Sequence, residues 1–174
     1  MKRSVFFISL ISLCTMGILA VDLNNRLPNS DFIYYGFSPR SLYHKTCLEN
    51  DVISRLGKPL TIHIDSSGGY EGHPAIIREL RYRDIIFVFW KCPFDSSQPS
   101  SLEYLHLVGK TTTKKGIKLG DTRKRVLLMY GIPDTEASTA DNLIYFGINE
   151  DTCISFTIKD NKVSAIVIGW YIRY

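Results

Sequence analysis

The sequence predicts an α+β protein of two tandem units, each with a short helix or helices packed on one face of an antiparallel β-sheet. Three observations predict it. A helix-stop pattern occurs twice: Val52-Ile53-Ser54-Arg55-Leu56-Gly57-Lys58-Pro59 reads against Val126-Leu127-Leu128-Met129-Tyr130-Gly131-Ile132-Pro133. Three strand-like runs follow each copy. The last run of each set has the same apolar spacing, Leu102, Leu105 and Leu107 against Val163, Ile166 and Ile168. The chain has 174 residues, 45% hydrophobic and 22% charged, which is ordinary globular usage and enough for a packed core.

Residues 1–20 stand apart. Lys2 and Arg3 precede an apolar stretch from Val5 to Leu19, and Ala20 is a small residue suited to cleavage. That is the layout of a secretory signal peptide, with a retained N-terminal anchor as the alternative. The expected location is therefore periplasmic or extracellular, with membrane contact only through residues 1–20 if they are uncleaved. Lipidation of Cys14 is disfavoured by the bulky Leu13 before it.

The first unit spans 21–109. Its helix stops at Gly57, which tolerates a left-handed cap, and Pro59 prevents continuation. Its strands are Ile77 to Tyr82, Ile85 to Trp90 and Leu102 to Val108. Residues 110–118, beginning Lys110-Thr111-Thr112-Thr113-Lys114-Lys115, form a polar linker.

The second unit spans 119–174. Gly120-Asp121-Thr122 supplies capping side chains, and Arg123-Lys124-Arg125 reads as a solvated face. Its strands are Leu143 to Gly147, Cys153 to Lys159 and Val163 to Ile172, with a tight turn at Asp160-Asn161. In both last strands, two polar or small residues follow the first apolar one, which implies a bulge that resets the alternation. Gly169 to Tyr174 prolongs the last strand, either as an edge completing the sheet or as a strand for a partner.

Alternation also names the core. Ile154, Phe156 and Ile158 should face the helices, and Ser155 and Thr157 should face away. Ile85, Phe87 and Phe89 oppose Ile86, Val88 and Trp90. Both sets are apolar, so the strand is either buried on both sides or keeps one face for a partner.

Leu119-Gly120-Asp121-Thr122-Arg123-Lys124-Arg125-Val126-Leu127, with Gly131 and Pro133, resembles the helix motif of the β-lactamase-inhibitor-protein-like superfamily. Leu143-Ile144-Tyr145-Phe146-Gly147, Ile154-Ser155-Phe156-Thr157-Ile158 and Lys162-Val163-Ser164-Ala165-Ile166 are similar to strands of its outer-membrane assembly lipoproteins. The resemblance covers residues 116–169, and more loosely 46–109, where Thr46-Cys47-Leu48 replaces the glycine and threonine. It implies helical segments on one face of an antiparallel sheet and a non-enzymatic role in binding other proteins. No binding residue lies in the matched motif.

Charge excludes some classes. Without Lys2 and Arg3 the count is 19 basic against 17 acidic residues, a poor balance for a dedicated nucleic-acid binder. Three cysteines remain, Cys47, Cys92 and Cys153, and their spacing matches no zinc pattern. A Cys47–Cys92 bridge with Cys153 as a buried strand thiol is one reading, and three free thiols is the other. His63, Asp65 and His73 match no ligand spacing, so no metal or other cofactor is expected. Cys47 with His44 lacks an orienting third group for thiol catalysis. Ser66-Ser67-Gly68-Gly69 lacks the helix start of a phosphate cradle.

Binding is the expected function, and no enzyme is expected. The first unit carries two long loops, Asp65 to Pro74 and Pro93 to Ser100, and long loops often serve recognition. Tyr70 and Phe94 in these loops, with the outward-facing Trp90, Tyr104 and His106, form the expected contact set for a protein partner. The alternative is an envelope assembly or scaffolding component held at the membrane.

Overall fold

The computed structural model describes residues 26–39, 47–66, 75–91, 100–148 and 152–170. The fold is α+β, with two short α-helices and one seven-stranded antiparallel sheet among the described residues.

Helices α1 (Glu49–Leu56) and α2 (Arg123–Tyr130) stop where the glycines predict. Gly57 and Gly131 have φ of 80° and 82°, a region that favours glycine. Each closes its helix identically: Gly57 N–H donates to Ile53 O and Gly131 N–H to Leu127 O, both at 2.9 Å. The starts differ. Thr122 Oγ1 accepts from Arg125 N–H at 3.3 Å. Leu48 has no side-chain acceptor, and the Asp51 carboxylate instead reaches back to Leu48 N–H at 3.0 Å. Eight residues make a marginal helix alone. Val52 and Val126, both fully buried, belong with Tyr130 to the main hydrophobic core.

The strands are β1 (Thr61–Asp65), β2 (Ile76–Arg81), β3 (Ile85–Lys91), β4 (Ser101–Leu107), β5 (Asn142–Phe146), β6 (Thr152–Lys159) and β7 (Lys162–Trp170). Their order is β1-β2-β3-β4-β7-β6-β5. Chain neighbours pair throughout, except that β4 meets β7 through Tyr104↔Gly169, Leu105↔Ile168 and His106↔Val167. This corrects the expectation of an edge at the C-terminal strand. Gly169 and Trp170 belong to a strand paired on both sides, and residues 171–174 lie outside the described ones. Among the described strands the edges are β1 and β5. β1 is a seventh strand beyond the six expected.

Both expected bulges form. The register slips opposite Val88/Phe89, leaving Glu103 as the extra residue of β4. It slips again opposite Thr157/Ile158, leaving Ser164 as the extra residue of β7. Each bulge lets apolar residues three apart share a face. Leu102, Leu105 and Leu107, like Val163, Ile166 and Ile168, all join the core.

One row defines the core face. Leu80, Phe87, Leu105, Ile168, Ile154 and Tyr145 stand directly opposite one another across six strands. All six belong to the main cluster. Phe87 meets Phe37 and Tyr82 edge-on, with ring centroids 5.7 Å apart in each case. Leu27, Phe32, Tyr34 and Phe37 bring the N-terminal segment, including a 3-10 turn at Asn29–Phe32, into the same core.

Residues 110–118 are more than a polar connection. Ile117 is fully buried in the core. Thr113 N–H donates to Ile117 O at 2.7 Å, and Ile117 N–H donates to Thr113 Oγ1 at 3.1 Å. Beside this turn Asp31 is 6% exposed. Burial raises its carboxyl pKa, against a lowering by Lys115 and Lys114.

Candidate functional site

The sheet face opposite the core carries the candidate site. Alternation along β3 sends Ile85, Phe87 and Phe89 into the core and Ile86, Val88 and Trp90 to this other face. The bulge at Glu103 matters here. Leu102 and Tyr104 are two residues apart and would share a face in a regular strand. The extra residue turns Tyr104 to the face opposite Leu102.

Cross-strand pairing then builds a compact patch. Ile77, Trp90 and Ser101 make one row, Val88, Tyr104 and Gly169 a second, and Ile86, His106 and Val167 a third. Neighbours in such rows have Cβ atoms about 4.5–5.5 Å apart. Trp90, Tyr104, His106, Ile86 and Val167 are half-buried, and Val88 is buried. So β3 is neither sealed on both sides nor fully open on one.

Trp90, Tyr104 and His106 of the expected contact set therefore share this face. Tyr70 and Phe94 lie outside the described residues, as does Cys92. The sequence reading set Ile86 and Val88 on one face with Trp90 but did not name Val167 as a member of the patch, although its alternation with Ile166 and Ile168 was the signal for it. It also missed Gly169, whose missing side chain leaves room for Tyr104. A Cβ there would run into the Tyr104 ring and lie 2.6 Å from Glu103 O.

The electrostatics of the patch are mild. Burial lowers the His106 pKa, and Arg81 adds to that effect while Glu79 opposes it. Its imidazole is therefore neutral at neutral pH. Glu79 and Arg81 on β2 form an ion pair, with Arg81 Nε donating to Glu79 Oε2 at 2.8 Å. At the other rim, Ser101 Oγ donates to Glu103 Oε1 at 2.8 Å, and both residues are buried. Further along the same face Ile144, Phe146 and Cys153 form a small apolar cluster with Ala137.

The two described thiols, Cys47 and Cys153, are poor nucleophiles. Burial and, secondarily, Asp51 push the Cys47 thiol up to about 11, and burial pushes Cys153 up to about 12. His63 and Asp65 sit on the exposed strand β1, and His44 and His73 lie outside the described residues. Among the described residues, no three His, Cys, Asp or Glu side chains gather to hold a metal. No helix among them is long and apolar enough to cross a membrane, and residues 1–20 are not among them.

No family model matches the chain, and no curated protein or solved structure matches it significantly.

Proposed function

We propose that this chain is an exported, non-catalytic protein-binding module, built from two copies of one helix-plus-sheet plan as in the β-lactamase-inhibitor-protein-like superfamily. It works by occlusion or scaffolding through the sheet face opposite the core, together with the first-unit loops 65–74 and 93–100. The observation that carries this reading is the half-buried patch of Trp90, Tyr104, His106, Ile86 and Val167 on three adjacent strands. Aromatic residues on a rigid sheet are efficient anchors, because little side-chain entropy is left to lose. The like closures at Gly57 and Gly131, and the like bulges at Glu103 and Ser164, support the repeat. The raised pKa values of Cys47 and Cys153 speak against chemistry at those two thiols.

The test is affinity capture from native envelope and secreted fractions, with wild-type bait beside a Trp90→Ala/Tyr104→Ala bait of matched stability. A protein held by the first and lost from the second supports the reading. An empty wild-type capture at good loading, or equal retention by both baits, sinks it.

A further inference from the structure

Among the described residues, the two edges of the sheet are treated differently. The β5 edge is covered by the chain itself. Asp134 N–H donates to Ile144 O at 2.9 Å, Ile144 N–H donates to Ser138 Oγ at 2.9 Å, and Leu27 N–H donates to Phe146 O at 2.9 Å. The β1 edge pairs with β2 on one side, and no other described strand pairs with it. Every residue of β1 is exposed, including Ile62 at 46% and Ile64 at 56%. Its sequence, Thr61-Ile62-His63-Ile64-Asp65, holds no proline or lysine, the residues that natural edges use to block further pairing.

The strand is also close to a palindrome in side-chain character, polar–Ile–His–Ile–polar. An antiparallel pair related by a twofold axis places residue i of one copy opposite residue j of the other, and the reverse. With the axis at His63, all five residues pair and every side chain stays on its own face. Ile62 then stands opposite the partner's Ile64, and Ile64 opposite the partner's Ile62. These pairs extend the core-face row that runs from Tyr145 through Phe87 and Leu80 to Ile62. On the other face Thr61, whose neighbour in the ladder is Arg81, stands opposite the partner's Asp65. The two His63 are each flanked by Glu79 on the far side. Shifting the register by one residue would set each isoleucine against a polar residue.

We infer that β1 is a self-association edge, and that two copies of this chain join antiparallel through Thr61–Asp65, with His63 on the twofold axis. The result is one continuous sheet twice as wide. A five-residue ladder is well short of the roughly 1,200 Å² of a stable interface. The dimer is therefore weak, with a Kd on the order of 10–100 µM. This inference does not depend on a partner for the patch around Trp90, whose half-buried residues Ile86, Trp90, Tyr104, His106 and Val167 lie on β3, β4 and β7.

The test uses protein expressed from the full 174-residue sequence and purified as the cell processes it. Sedimentation velocity from about 10 µM to about 1 mM should show a monomer giving way to a dimer. Ile64→Lys, at an exposed position, should leave the thermal melt unchanged and the protein monomeric throughout. A second variant reads the register without depending on the first. Paired antiparallel residues have Cα atoms about 4.5–5.5 Å apart, within disulfide range. His63→Cys chains should therefore join through the introduced thiols under mild oxidation, as mapped by peptide mass spectrometry. A monomer at every concentration overturns the inference. So does a dimer that survives Ile64→Lys, or one in which the His63→Cys thiols fail to join.

Discussion

Replacing Gly169 by alanine tests the joint between β4 and β7. A methyl group at 169 would lie 2.6 Å from Glu103 O and inside contact distance of the Tyr104 ring. The ring can turn, but the carbonyl belongs to the bulged backbone of β4 and cannot move without shifting that strand. Overpacking of this kind costs about 1–3 kcal/mol, and the backbone clash places Gly169→Ala in the upper half of that range. The joint has little in reserve, because only three residue pairs hold it. Such a loss is large beside a domain stability of about 5–15 kcal/mol. Urea unfolding followed by fluorescence and by circular dichroism would measure it. Tyr104→Ala in the same background removes the ring clash and leaves the carbonyl clash. The double variant should therefore lose about 0.5–1 kcal/mol less than the sum of the singles. A Gly169→Ala protein within about 0.5 kcal/mol of wild type would refute the packing argument.

Two further outcomes follow from the titrating groups. His106 has a folded pKa below its ordinary 6.5, so the unfolded chain takes up the proton first. Its contribution to stability is complete above about pH 6.5 and is lost as pH falls through the lowered folded value. The urea midpoint difference between wild type and His106→Gln should shrink between pH 8 and pH 5.5, and a constant difference would show that burial of the imidazole is misjudged. Cys153, raised to about 12, holds roughly one thiolate in ten thousand at pH 8. Iodoacetamide should leave it unlabelled in the native protein and label it in urea, and native labelling within minutes would count against its burial. The same peptide maps, run without reductant, decide whether Cys47 and Cys92 are bridged.

What was legible in the sequence was whatever depends on local backbone chemistry. Gly57 and Gly131 mark the helix ends because few other residues enter a positive φ cheaply. The bulges were legible because Glu103 and Ser164 interrupt an apolar alternation that resumes out of phase. Long-range pairing was not. Nothing in residues 162–170 says that their second neighbour is β4, so the strand read as an edge although it lies inside the sheet. β1 was not among the expected strands, because a five-residue run with only two isoleucines is a short apolar signal, and both are exposed. Ile117, Phe32 and Phe37 were invisible for a related reason. Each sits among polar or irregular neighbours, and only tertiary contact makes it core. In the candidate site, Trp90, Tyr104 and His106 were readable from aromatic character and alternation. Their common face needed the bulge and the β4–β7 register.

If the patch binds a partner as proposed, its position ties recognition to the fold's least supported joint. Tyr104 and His106 come from β4, and Val167 and Gly169 from β7, so a partner seated on them spans the three pairs that join the two sets of strands. A bound partner would clamp that joint. By mass action, a ligand at a hundred times its Kd adds about 2.7 kcal/mol to stability, comparable with the loss expected from Gly169→Ala. Gly169 serves both ends. Its missing side chain leaves room for the Tyr104 ring beside β7, and the same ring belongs to the patch proposed to meet a partner. A larger residue at 169 should therefore weaken binding and folding together. Trp90→Ala, one row removed from the seam, should weaken binding with a smaller loss of stability.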